Sequence, residues 1–163
     1  MDIELKLNQL LSMFFKMNSI ADNMAYSLDV DLKCPNASKI FHEKYAHAFP
    51  SEIFADKLSE DMTMLGYRPR RIGFSGDTHD YENIVSLFND NLEEILKVKE
   101  SIENCIDELD YDIGNKAIIL TLEDLLKNLL PYIHQSKIWL QQAERYGEKN
   151  YKFNLDFEDI TFI

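Results

Sequence analysis

The sequence predicts one all-α domain, an antiparallel bundle of four long helices. Three observations carry that prediction. Apolar residues recur at steps of three and four along four separate segments, and the segments are bounded by Pro, Gly or Asn. Most of the breaks between segments are short enough to join antiparallel neighbours. A chain of 163 residues also suffices to bury a real core as one unit.

The first segment places Ile3, Leu7, Leu10, Leu11, Phe14, Met17, Ile20, Met24 and Leu28 on one helical face. It breaks over Asp29 to Pro35, because a proline disfavours helix in the residue before it. Asn36 or Ser38 is placed to cap a second helix. That helix is expected to reach Leu65, to kink at Pro50, and to stop at Gly66. Residues 66–78, GYRPRRIGFSGDT, form the longest connection. A third helix is expected from Asp77 or Thr78, carrying Ile84, Leu87, Phe88, Leu92, Ile95, Val98, Ile102 and Ile106 to a turn at Gly114 and Asn115. The fourth is expected from about Ala117 to Tyr146, kinked at Pro131 and ended by Gly147.

Residues 1–147 are thus the helical domain, and 148–163 are a tail of different period. Tyr151, Phe153, Leu155 and Phe157 alternate with Lys152, Asn154, Asp156 and Glu158, which is a strand pattern. A lone strand is unstable in water. The expectation is an extended aromatic tail lying in a groove of its own bundle or of a neighbouring subunit.

Charge narrows the function classes. Twenty-nine acids against seventeen bases leave a formal charge of −12. Nucleic-acid affinity needs clustered Lys and Arg, so DNA binding is not expected; the one basic cluster, Arg68, Arg70 and Arg71, is small. Cations or basic partners suit such a protein better. Cys34 and Cys105 lack metal or disulfide spacing and read as reduced thiols of a cytoplasmic protein. The stretch MDIELKLNQLLSMFF carries acids among its apolar residues and has no basic n-region, so it is not expected to be a signal peptide, and no apolar run is long enough to span a bilayer.

The best chemical constellation lies on the expected second helix. Glu52, Asp56 and Glu60 stand at i, i+4 and i+8, and His42, eighteen residues before Glu60, returns to the same angle at 100° per residue. Oxygen ligands with an imidazole suit iron or manganese. Acids at such spacing are also common on a plain solvated face. His47 is expected to turn away from the stripe and pair with Glu43, His79 to sit at a helix start, and His134 on the surface. Trp139 reads as a packing or interface residue.

From Asp29 to Gly66 the chain reads DVDLKCPNASKIFHEKYAHAFPSEIFADKLSEDMTMLG. This stretch resembles the ferritin-like Dps family, whose pattern is HW-x-x-x-G-P-x-F-x-x-L-H-E followed by D-x-x-x-E and L-G. Lys33-Cys34-Pro35-Asn36 is similar to the family's KGPN turn, Asp56 and Glu60 fall on its acidic pair, and Leu65-Gly66 on its helix end. LTLEDLLKNLLPYIHQSKIWLQQA, with Trp139, is similar to the family's last helix.

The resemblance implies a ferritin-like four-helix bundle and a homo-oligomer, a hollow dodecamer in the family. It implies iron oxidation at sites shared between subunits and iron storage inside. Asp56 and Glu60 would be the catalytic carboxylates, and Asp29, His42, Asp56 and Glu60 the metal ligands. The sequence departs from the family at the histidines. Asp29 and Val30 replace the first-helix His-Trp pair, and the second-helix histidine falls on Phe41, one residue before His42. Putting His42 in register needs one extra residue after Pro35 and one fewer before Asp56. A degenerate site on a non-enzymatic structural or interaction protein is the alternative expectation, and an unrelated helical adaptor a more remote one.

Overall fold

Asp2 opens the first helix. Its carboxylate accepts from the Leu5 amide at 3.0 Å, satisfying one of the amides that a helix start leaves unpaired. The structure, a computed structural model, describes residues 2–110 and 112–163. Helix α1 spans Ile3–Val30 and buries the apolar face read from the sequence, from Leu7 to Leu28. Lys33 closes the turn that follows with φ +59, a left-handed conformation that costs a non-glycine residue about 1–2 kcal/mol. The Cys34 amide, donating to the Leu28 carbonyl at 2.7 Å, holds the chain there.

Helix α2, Pro35–Ile40, begins with Pro35 in its first turn, where a missing amide removes nothing. Neither Asn36 nor Ser38 caps it. The Asn36 side-chain amide donates to the Asn154 carbonyl at 2.9 Å, and the Ser38 hydroxyl to the Ala25 carbonyl at 2.6 Å.

The expected second helix is not continuous. Phe41–Tyr45 form a π-helical turn and Ala46–Ala48 a 3-10 turn, and regular helix resumes only at α3, Ala55–Met64. Pro50 therefore lies in an irregular segment and not at a kink. Lacking an amide, it ends the run of helix bonds, and Ser51 closes the turn by donating its hydroxyl to the Ala48 carbonyl at 2.6 Å. Helix α3 stops as predicted at Gly66. Its φ of +86 lets the Tyr67 amide reach back to the Met62 carbonyl at 2.8 Å, the bond of a Schellman cap.

Residues 67–82 run as a strap along α1, in the same direction. The Asn8 amide group donates to the Arg68 carbonyl, Ser12 to the Ile72 carbonyl, and Asn23 to the His79 carbonyl, while Ser27 accepts from the Tyr81 amide. This docking delays the next helix. Helix α4 spans Ile84–Leu109 with Asn83 as its cap, accepting from Ser86 at 2.8 Å, and not Asp77 or Thr78. A 3-10 turn at Ile113–Asn115 leads to α5, Lys116–Tyr146, which runs unbroken through Pro131 and ends at Gly147.

The tail is not a strand. Asn150–Asp156 form helix α6, and the segment after it is irregular. Phe153, Phe157 and Ile160 are buried, whereas Tyr151 and Leu155 are exposed. Phe153 and Phe157 are spaced i, i+4, so the alternating pattern concealed a helical one, and Ile160 is buried from the irregular segment that follows. Phe157 stacks on Trp139 with ring centroids 4.9 Å apart, and the Trp139 indole donates to the Glu158 carbonyl at 2.8 Å.

The fold is all-helical among the described residues. Helix α4 packs along α5, and α1 packs on α2, α3 and α4. The centre is aromatic: Phe41, Tyr45, Phe88 and Trp139 are completely buried, and Phe41 and Trp139 each contact the other three rings. One polar chain crosses it. Asn91 donates to the Ser136 hydroxyl at 3.1 Å, and Ser136 lies 3.2 Å from the Tyr45 hydroxyl. Burial pushes the Tyr45 phenol well above its ordinary range, so it stays protonated. No helix among the described residues is long and apolar enough to cross a membrane.

Candidate metal centre

The π turn decides which side chains meet. In a regular α-helix, residues five apart point about 140° away from each other. At Phe41–Tyr45 the Ala46 amide bonds to both the His42 and the Phe41 carbonyls, and the Phe41 bond spans five residues. This widened turn swings His47 round to the side of His42, and their ring centroids lie 4.3 Å apart. Such turns concentrate at functional sites. His47 thus faces His42, where a pairing with Glu43 was expected.

Helix α1 supplies the third group. Asp22 projects from the same flank as Asn18, whose side-chain amide fixes the junction by donating to the Ala46 carbonyl at 2.8 Å. The ligating atoms of Asp22, His42 and His47 all lie within 4.8 Å of one another. Among the described residues this is the one cluster of three His, Cys, Asp or Glu side chains with metal-binding spacing.

Asp22 Oδ1 and His42 Nδ1 are 2.9 Å apart, close enough for an ion pair. Their directions nevertheless miss a hydrogen bond, and these two buried atoms have no other partner. Two unpartnered ligand atoms at that separation match the edge between neighbouring ligands of one ion. Bonds of about 2.1 Å meeting at a right angle give an edge of about 3 Å. Two imidazoles and one carboxylate are the donor set that holds Fe(II) with open positions, and it also suits other divalent first-row cations. The His42 and Asp22 side chains are 34% and 23% exposed, and His47 is exposed, so the site is open to solvent on one side.

The carboxylates expected as ligands lie elsewhere. Asp56 and Glu60 are exposed on α3, Glu52 falls in the irregular segment before it, and Asp29 is exposed near the end of α1. Interruption of the second helix removes the angular relation that put His42 on their stripe. Within one chain, His42 groups with Asp22 and His47 and not with Asp29, Asp56 or Glu60. His79 lies on the strap, its ring 4.6 Å from that of Tyr81, and His134 is exposed on α5.

A faint sequence signal for Asp22 existed: Asn18, Asp22 and Tyr26 form a polar line at i, i+4 and i+8 on an apolar helix. His47 gave none, because a π turn has no sequence period of its own.

A cleft of about 370 Å³ adjoins Asp22, walled by α1 on one side and by Arg71, Phe74 and Asp77 of the strap on the other. The Arg71 guanidinium sits 3.6 Å above the centre of the Phe15 ring. Compared with known proteins, the chain matches no family model and no curated protein.

Proposed function

We propose that this protein binds a divalent first-row transition metal, iron foremost, at Asp22, His42 and His47. The observation that supports the reading is the convergence of these three side chains across the α1–π-turn junction, with Asp22 Oδ1 and His42 Nδ1 unpartnered at 2.9 Å. The Asp22 carboxylate offsets part of the charge of the ion, and the histidines bind it as neutral imidazoles. A bound ion would act there as a Lewis acid toward an oxygen ligand in its open positions. Anaerobic titration with Fe(II) tests the reading. One ion per chain is expected, and no saturable binding would sink it.

A second reading follows from the exposure of Asp29, Asp56 and Glu60. Carboxylates that find no partner cluster within one chain are available to another copy. In a ferritin-like, antiparallel bundle of the Dps type they would bind and oxidise iron between subunits, and the oligomer would store the product. Light-scattering mass separates the two readings: a shell requires about twelve times the 19.1 kDa chain. Fe(II) oxidation in air that persists in Asp22→Ala and disappears in Asp56→Ala would favour the inter-subunit site.

A further inference from the structure

We infer that the cavity between α1, α4 and the strap binds a free α-amino acid with an apolar side chain. The cavity arises from a mismatch of lengths. Ser12 and Asn23 of α1 hold the strap at the Ile72 and His79 carbonyls. These anchors are eleven residues apart on the helix, about 16 Å. The strap covers the same interval with seven residues, which reach about 23 Å when extended. The surplus bows residues 73–78 away from the helix, and Gly73 and Gly76 have open space where a side chain would stand.

Ser75, Gly76 and Asp77 of this arch, with α1 and α4, border a cavity of about 570 Å³. Small-molecule sites measure about 300–1,000 Å³. None of Asp22, His42 and His47 lines the cavity, so binding there needs no metal.

Two kinds of surface meet in it. Met17, Ile20 and Val98 belong to the buried core, and with Met13 they form an apolar floor. Thioethers adapt to irregular shapes and so suit apolar side chains of several lengths. Four charged groups stand around the floor. Lys97 and Glu94 neutralise each other at 3.0 Å. Lys16 on α1 and Asp77 on the strap remain, and neither forms an ion pair among the described residues, with each other or with any other group. Asp77 is held by its Oδ1, which accepts from the His79 amide at 2.9 Å and leaves Oδ2 to a ligand.

An ammonium and a carboxylate on different walls of one cavity, beyond ion-pair distance of each other, call for a ligand that carries both charges. A simple carboxylic acid would meet Asp77 as a like charge, and a simple amine would meet Lys16 in the same way. An α-amino acid presents its carboxylate to Lys16 and its ammonium to Asp77, and lays its side chain on the methionine floor.

The test is calorimetric titration of the full chain, without added metal, with L-leucine, L-methionine and L-phenylalanine. At least one is expected to bind saturably at one site per chain. Its N-acetyl form lacks the ammonium, its amide lacks the carboxylate, and glycine lacks the apolar group. Each of these three should bind about tenfold or more weakly than the parent. Lys16→Met and Asp77→Asn remove one charge each and keep side-chain length. Lys16→Met should weaken the amino acid about tenfold and leave the amide unaffected, and Asp77→Asn should weaken the amino acid equally and leave the N-acetyl form unaffected. Lys16 is exposed and Asp77 half-buried, so circular dichroism should show the native fold in both variants.

No saturable binding of any of the three amino acids, equal binding of the N-acetyl form, the amide or glycine, or undiminished binding in either variant would overturn the assignment.

Discussion

His42 and His47 are five residues apart in sequence and 4.3 Å apart between ring centroids, a proximity that regular α-helix forbids. The π turn at Phe41–Tyr45 creates it, and Asp22 on α1 completes the cluster. Replacing either histidine would remove one of the three proposed ligands. His42→Ala and His47→Ala are each expected to weaken metal binding by about a hundredfold or more, since loss of second-layer partners alone costs 10–100-fold. Both side chains are partly or fully exposed, so the helical circular dichroism should not change. Calorimetry paired with circular dichroism checks both halves.

The terminal segment braces the π turn from outside. Lys44, in that turn, pairs with Asp159 at 2.8 Å, and Phe157 is buried against Trp139. The two contacts differ greatly in weight. Lys44 is 38% and Asp159 50% exposed, and an open pair of this kind contributes at most about 1 kcal/mol. Removal of a buried aromatic ring costs about 3–5 kcal/mol. Urea denaturation should therefore show Phe157→Ala strongly destabilised and Asp159→Asn nearly unchanged.

Much of this fold was legible in the sequence, for reasons visible at particular residues. The apolar faces of α1, α4 and α5 follow an unbroken period, and Gly66 and Gly147 end helices where predicted. The second helix was misread around Phe41–Tyr45 and around Pro50. The structure departs from α-helix at both. The site was hidden because its ligands converge only through that departure. The tail misled because i, i+4 spacing also satisfies alternation over a few residues, and Phe153 and Phe157 turn inward while Tyr151 and Leu155 stay exposed.

Ser136 is the middle of the buried polar chain, with Asn91 on one side and Tyr45 on the other. Asn91 Oδ1 already lacks a partner. Ser136→Ala would leave the Asn91 amide and the Tyr45 hydroxyl short of partners as well. A loss of about 1–3 kcal/mol in unfolding free energy is expected, measured by denaturant titration.

Cys34 is buried, and burial raises its thiol from 9.0 to about 11. In the folded protein the thiol therefore stays protonated at pH 8 and reacts slowly with iodoacetamide. The folded value lies above the unfolded one, so this group's contribution to stability is intact below pH 9.0 and fades as pH rises toward about 11. Mass spectrometry of labelled protein should show Cys34 modified only at the rate of unfolding at pH 8. Rapid labelling of native protein at that pH would contradict its burial.

Asp22, His42 and His47 are proposed to form one metal site. Its most direct measurement is Fe(II) or Mn²⁺ stoichiometry and affinity for the intact chain and for the double variant Asp22→Asn/His42→Gln, which keeps side-chain volume while removing two ligands. One ion per chain is expected in the unmodified protein and no specific binding in the variant. Equal binding by both would contradict it.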